Sequence, residues 1–279
     1  MTQVRDKVAV VTGAGSGIGR ALAVELSRRG ARVSGCDVDE VGLKETAALC
    51  AGDMHQALVD VGDRDAVFAY ATEVEDHFGA VHQVYNNAGV AFSRTVLDSE
   101  WADYERVLSV NLYGVIHGTQ AFLPRLIASG DGHVVNISSL NGYLAQPKMS
   151  HYCTSKFAVR GFTETLRTEM AMENLPVRVS VVHPGGIATS IADNSLAHAV
   201  AAGLPVTPED EARRDTYNKK MLRMPSQKAA QIIVDGVESN RFRIRVGQDA
   251  VMVDRIVRLL PTASGRLATA LERRMLKKR

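Results

Sequence analysis

The stretch Lys7-Val8-Ala9-Val10-Val11-Thr12-Gly13-Ala14-Gly15-Ser16-Gly17-Ile18-Gly19-Arg20 decides the fold. Lys7–Thr12 is a near-continuous apolar run, as in a central parallel strand covered on both faces. Glycines then crowd a short turn. Ile18, Leu22 and Leu26 follow at one-turn spacing, with Gly30 as the stop. Strand, glycine turn and helix in that order suit a pyrophosphate. The glycines allow close backbone approach, and the helix N-terminus offers free N–H groups and partial positive charge. No Lys-Ser or Lys-Thr follows the glycines, so this is not a P-loop.

Working outward, Arg32–Asp37 reads as a second strand, and Asp37 lies eighteen residues after Gly19. That is close to the spacing of an acid that binds a ribose hydroxyl. A carboxylate there repels a 2′-phosphate, which favours NAD over NADP; the alternative is that Asp37 only starts a turn. Further strands are expected at Gln56–Val61, Val81–Tyr85, His133–Ile137, Arg178–Val182 and Ile244–Val246. Helical periodicity fills Ser99–Ile127 and Ser150–Glu173, and Ser226 caps another helix through Ala229, Ile232, Ile233 and Val237. The alternation predicts an α/β fold: a doubly wound parallel sheet of about seven strands with helices on both faces.

Strand ends carry the polar candidates. Asp60 either meets an adenine edge or serves as a solvated N-cap for the next helix. Asn86-Asn87-Ala88-Gly89 either stabilises its turn or reaches a ligand, or does both. Asn111 sits inside a helical run, where asparagine has poor propensity, so it is either there for a polar contact or without a role. Ser139 falls at the end of the fifth strand, where open α/β sheets place their chemistry. Tyr152 and Lys156 are four residues apart and share a helix face. A phenol with a pKa of about 10 is a poor acid or base at neutral pH. The neighbouring ammonium is expected to lower it.

Composition excludes several classes. The chain has 279 residues, 46% apolar and 23% charged, with a net charge of +2. That is ordinary globular composition, with no general case for nucleic acid. Cys36, Cys50 and Cys153 are too few and scattered for a disulfide framework or a metal site, consistent with a reducing cytoplasm. No signal peptide and no membrane-spanning apolar run is expected. Residues 1–279 read as one domain with two appendages. The first is residues 190–224, punctuated by Pro205, Pro208 and Pro225, a substrate lid by position. The second is a basic helical extension over 250–279, with Leu267, Leu271 and Met275 on one stripe. Residues 255–279 carry a net +7, leaving −5 for the rest. A packed or solvated terminal helix is favoured there over a membrane-surface helix or an oligomer contact.

Taken together, the chain resembles the short-chain dehydrogenase/reductase family from Lys7 to Gly247. The motifs that carry this are Thr12-Gly13-x-x-x-Gly17-x-Gly19, Asn86-Asn87-Ala88-Gly89, Asn111, Ser139, Tyr152-x-x-x-Lys156 and Pro184-Gly185, in order and spacing. The resemblance implies a Rossmann-type fold, a nicotinamide cofactor and a tetrad of Asn111, Ser139, Tyr152 and Lys156. It selects Ser139 over Ser138, because Ser139 lies thirteen residues before Tyr152. It implies cofactor contacts at Gly13, Ser16, Gly17, Ile18, Gly19, Asp37, Asp60, Val61, Asn87, Ala88, Gly89, Tyr152, Lys156, Pro184, Gly185, Ile187 and Thr189. It also implies a homotetramer or homodimer built on the two long helices.

The expected activity is NAD-dependent hydride transfer between the nicotinamide and a small-molecule secondary alcohol or ketone. Leu140, Tyr143, Leu144, Met149 and Ile187 point to an apolar substrate of steroid, terpenoid or lipid type. A dinucleotide-sensing or scaffolding protein without turnover is the alternative, but it would not need the tetrad. A sugar-nucleotide epimerase shares the Tyr-x-x-x-Lys pair, yet spaces its glycines differently and carries a larger C-terminal domain.

Overall fold

A computed structural model describes residues 2–201 and 206–277. The chain runs β1 (Val8–Thr12), α1 (Gly17–Arg28), β2 (Arg32–Asp37), α2 (Glu40–Leu49), β3 (His55–Leu58), α3 (Arg64–Phe78) and β4 (Gln83–Asn86). It continues through α4 (Trp101–Leu108), α5 (Gly114–Ala128), β5 (Gly132–Ile137), α6 (Ser150–Met172) and β6 (Val177–Pro184). Then come β7 (Ile187–Ala188), α7 (Ile191–Ala201), α8 (Pro208–Thr216), β8 (Met224–Pro225), α9 (Ser226–Glu238), β9 (Arg243–Val246), α10 (Gln248–Leu259) and α11 (Ser264–Lys277).

Seven strands form one parallel sheet in the order β3-β2-β1-β4-β5-β6-β9. It is a Rossmann-type doubly wound sheet. Strand alternation sends the β1 valines both ways. Ala9 and Val11 join Leu22 and Leu26 of α1, Leu43 of α2 and Ile233 of α9. Val8 and Val10 join Val67 and Tyr70 of α3, Phe122 of α5 and Leu166 of α6. Each fully buried Leu, Ile or Phe contributes roughly 1.5–3 kcal/mol by leaving water, so a near-continuous apolar strand has to sit between two helical layers. Chain order reverses between β1 and β4, which opens a crevice at the carboxyl ends of those two strands.

Several boundaries differ from the sequence reading. β3 stops at Leu58, because the chain turns at Asp60: Gly62 N donates to Asp60 Oδ1 (2.8 Å) and Asp63 N to Asp60 O (3.0 Å). Asp63, not Asp60, is the N-cap of α3. The helix expected over Ser99–Ile127 is broken by a π-helical turn at Ser109–Tyr113, which contains Asn111. Ser226 is the first residue of α9, and the cap position is taken by Pro225 in extended conformation. The C-terminal extension is two helices, not one. The side chains of Leu267 and Leu271, and that of Met275, lie outside the described residues.

Residues 190–224 leave β7 and return at β8, and these two short strands pair in parallel, Ile187 with Met224 and Ala188 with Pro225. Thr207 and Asp210 form a capping box that starts α8. Pro205 lies outside the described residues. Among the described residues no helix is long and apolar enough to cross a membrane.

Candidate active site at the carboxyl edge of the sheet

The glycine turn is assembled from backbone. Gly13 (φ 66°) and Gly17 (φ 53°) take left-handed conformations that a side chain would resist. Gly15 N donates to Asp37 Oδ2 (2.8 Å), and Arg20 Nε donates to Gly15 O (3.1 Å). Asp37 also accepts from Asp39 N (3.1 Å), so it both starts the turn into α2 and braces the glycine loop. Ser16 is the exposed N-cap of α1, and its side chain makes no capping bond, leaving first-turn N–H groups open. Ile18 is half-buried against the core, while Gly19 faces Gly13 O and Asn87 Nδ2, leaving no room for a side chain.

The turn after β4 is fastened to the glycine loop. Thr12 Oγ1 accepts from Asn87 N and Ala88 N (3.0 Å each), and Asn87 Nδ2 donates to Thr12 O (3.0 Å). Asn87 thus serves its turn. Asn86 is spent inside the protein, donating to Asn136 Oδ1 (2.8 Å) and Thr119 Oγ1 (3.1 Å). Val61 is a core residue packed under the start of α5, and its carbonyl bonds His117 Nδ1 (3.0 Å).

On the other side of the crevice stand Ser139, Tyr152 and Lys156. β5 ends just before Ser138 and Ser139, which the strand therefore presents at the sheet edge. The two serines divide their roles. Ser138 Oγ donates to Lys156 O (2.8 Å), a structural tie. The Ser139 hydroxyl accepts from Asn141 N (3.1 Å) and is the neighbour that favours the ionised Tyr152 phenol. Lys156 Nζ lies 5.6 Å from the Tyr152 ring centroid and donates to Ile137 O (3.1 Å). Asn111 is fully buried. It clasps Val90 by accepting from its N–H (2.8 Å) and donating to its carbonyl (2.9 Å), and donates to Ser155 Oγ (3.1 Å). Asn111 Oδ1 and Lys156 Nζ converge on Gly89: a Cβ there would lie 3.3 Å from one and 3.5 Å from the other. The structure thus brings all four expected tetrad residues, distant in sequence, to one place.

The electrostatics correct one expectation. The Tyr152 phenol is pushed up, not down, because burial outweighs the hydrogen bond from Ser139. Burial also pushes Lys156 down to about 8. Desolvation therefore brings the ammonium towards neutrality, and it does not dominate the phenol.

Pro184 ends β6, and Gly185 N donates to Val246 O (2.9 Å). The Thr189 methyl faces the glycine turn, 3.2 Å from where a Cβ on Gly17 would stand. Ile187 is 4% exposed and packs in the core, and Tyr143 is buried, its ring stacked on His183 at 3.9 Å. Those two side chains are core, not substrate-facing as expected; Leu140, Leu144 and Met149 remain half-buried beside the site. Sequence reading missed His183, whose Nδ1 bonds Ser139 O (2.8 Å) and which burial pushes down to about 4. Within its strand it reads as one more core position. It also missed the bracing roles of Thr12 and Arg20.

The residues present fit a dinucleotide. Open N–H groups at the α1 N-terminus beside a glycine turn suit a pyrophosphate. The Asp37 carboxylate suits a ribose diol, and the space at Gly89 lies between two polar side chains.

Comparison with known proteins agrees with this geometry. Residues 7–199 match the short chain dehydrogenase family model. The chain belongs to the short-chain dehydrogenase/reductase family of oxidoreductases. It is 46% identical over 273 residues to SadH of Mycobacterium tuberculosis, a protein named as an oxidoreductase, covering 97% of this chain and 96% of that one. It is 30% identical over 263 residues to human estradiol 17-beta-dehydrogenase 11, covering 89% and 87%. A short chain dehydrogenase/reductase from Burkholderia phymatum, solved in complex with NAD, superposes with a TM-score of 0.86 at 29% identity, covering 93% of this chain and 95% of that one.

Proposed function

We propose that this protein catalyses NAD-dependent interconversion of an apolar secondary alcohol and its ketone. The observation that carries the reading is the gathering of Ser139, Tyr152 and Lys156 beyond the end of β5, with the Lys156 ammonium 5.6 Å from the Tyr152 ring, across the crevice from the glycine turn. When bound, the nicotinamide supplies the hydride donor or acceptor at its C4. Tyr152 takes the alcohol proton as the carbinol carbon loses hydride, and returns a proton to the carbonyl oxygen in reduction. Ser139 hydrogen-bonds that oxygen and orients it. Lys156 binds the nicotinamide ribose hydroxyls, and contact with that charged, hydrogen-bonded surround is what lowers the phenol. Asn111 holds a water near Lys156 that links the site to solvent.

Glycines 13, 17 and 19, with Ser16 and Ile18, cradle the pyrophosphate. Asp37 binds the adenosine ribose and disfavours a 2′-phosphate, hence NAD over NADP. Asp60, Val61, Asn87, Ala88 and Gly89 line the nucleotide's path, and Pro184, Gly185, Ile187 and Thr189 flank the nicotinamide. Half-buried Leu140, Leu144 and Met149 support an apolar substrate, as does the likeness to an enzyme named for estradiol. Residues 190–224 form the substrate lid, and Arg213 Nη2 donates to Pro147 O (3.2 Å) across it. We read the chain as one cytoplasmic domain that assembles as a homotetramer or homodimer through its long helices. Exposed Tyr113 and Phe157 support that assembly.

The test mixes protein with NAD and a panel of apolar secondary alcohols, beside Tyr152→Phe. NADH should form with wild type. If wild type yields no more NADH than the Phe variant across a broad panel, the reading fails.

A further inference from the structure

The turn Pro184-Gly185-Gly186 is held from three directions. From the sheet, Gly185 N donates to Val246 O (2.9 Å). From the returning end of the 190–224 segment, Arg223 N and Met224 N donate to Gly186 O (3.1 Å each). From the start of α10, the half-buried Asp249 carboxylate accepts from Gly186 N through Oδ2 (2.6 Å) and from Ala250 N through Oδ1 (2.9 Å). The space around this carboxylate is cleared by glycine: a Cβ on Gly185 or Gly247 would collide with it. Asp249 stands in the first turn of α10, where a negative charge is also favoured by the helix N-terminus. Gly186 leads directly into Ile187–Thr189, and Thr189 reaches the glycine turn.

We propose that Asp249 is a positioning residue for the nicotinamide subsite. Its carboxylate fixes Gly186, and through it both Ile187–Thr189 and the two feet of the 190–224 segment, which pair as β7 and β8. The first turn of α10 thereby acquires a task at the site although it lies beyond the core motifs. The inference rests on the nicotinamide reading above.

The test is direct binding without substrate. The dissociation constants of NADH and of ADP-ribose, which lacks the nicotinamide, are measured for wild type, Asp249→Ala, Asp249→Asn, Gly185→Ala and the Asp249→Ala/Gly185→Ala double variant. Loss of one hydrogen bond to a charged group sets the scale: Asp249→Ala should weaken NADH about tenfold. ADP-ribose should stay within about twofold. Asp249→Asn keeps one acceptor for Gly186 N and should bind NADH more tightly than the Ala variant. Gly185→Ala should reproduce the NADH-selective loss, and the double variant should be no worse than either single one. Wild-type NADH affinity in Asp249→Ala, or equal loss of both ligands, overturns the proposal. Should Asp249→Ala fail to fold, Gly185→Ala decides: losing both ligands or neither overturns it. Wild type that does not bind NADH sinks the functional reading and this inference together. Wild type that binds, beside an unaffected Asp249→Ala, sinks this inference alone.

Discussion

Around the glycine turn, the side chains that brace it are paired within the protein: Thr12 with Asn87 and Ala88, Asp37 with Gly15, the Arg20 guanidinium with the Gly15 carbonyl. Around Tyr152 the balance is reversed. Burial pushes the phenol up and the Lys156 amine down, and His183 Nε2 is buried without a hydrogen-bond partner among the described residues. The glycine-turn end is built as structure, and its bonds stabilise the fold. The Tyr152 end holds groups whose charged forms are disfavoured by their surroundings, and for Lys156 this costs stability below pH 8. Binding and chemistry should therefore separate on mutation.

The largest effect should come from Tyr152→Phe. Loss of a positioned acid/base should lower kcat by roughly 10²–10⁴. NADH affinity, measured by fluorescence titration, should stay near wild type. A matching loss of affinity would erase the separation of the two ends.

Next is Lys156→Met in the ligand-free protein. The folded pKa of about 8 lies below the ordinary 10.5. Between those values the unfolded chain holds a proton that the native state has released, so wild-type stability should rise with pH across about 8 to 10.5. Below pH 8 the full penalty is present, and the variant should be more stable there by roughly 3 kcal/mol. Denaturant unfolding across pH checks this; a wild-type-to-variant difference that does not change with pH contradicts it.

Thr12→Val should have the opposite sign. It leaves the Asn87 and Ala88 amides without their acceptor and should destabilise by about 1–3 kcal/mol, seen as a lower Tm. If it were neutral, the glycine-turn end would not be the self-paired structure described. The smallest effect expected is on cofactor choice. Asp37→Ala should erode NAD preference over NADP by about tenfold, the scale of one charged contact. An unchanged ratio of kcat/KM for the two cofactors would remove that role.

The sheet was legible from the chain because a parallel strand buried on both faces must be continuously apolar, as Lys7–Thr12 nearly is. Strand and helix edges were less so. Sequence periodicity cannot see that the chain turns at Asp60 to reach α3, nor that Asn111 grips Val90 from inside a π-helical turn. Tyr152 and Lys156 were readable from their spacing and Ser139 from the resemblance, but the direction of the Tyr152 shift was not. Spacing gives the proximity of an ammonium, whereas burial of both groups is a property of the packed crevice.

By itself, then, the sequence determined the doubly wound sheet and the glycine turn between its first strand and helix, because both follow from local pattern; the four tetrad candidates came from the resemblance of the whole motif set. Only the tertiary structure decided that Tyr143 and Ile187 belong to the core, that His183 braces Ser139, and that Asp249 of α10 holds the turn after β6. Those facts depend on contacts between residues far apart in the chain, and no spacing rule encodes them.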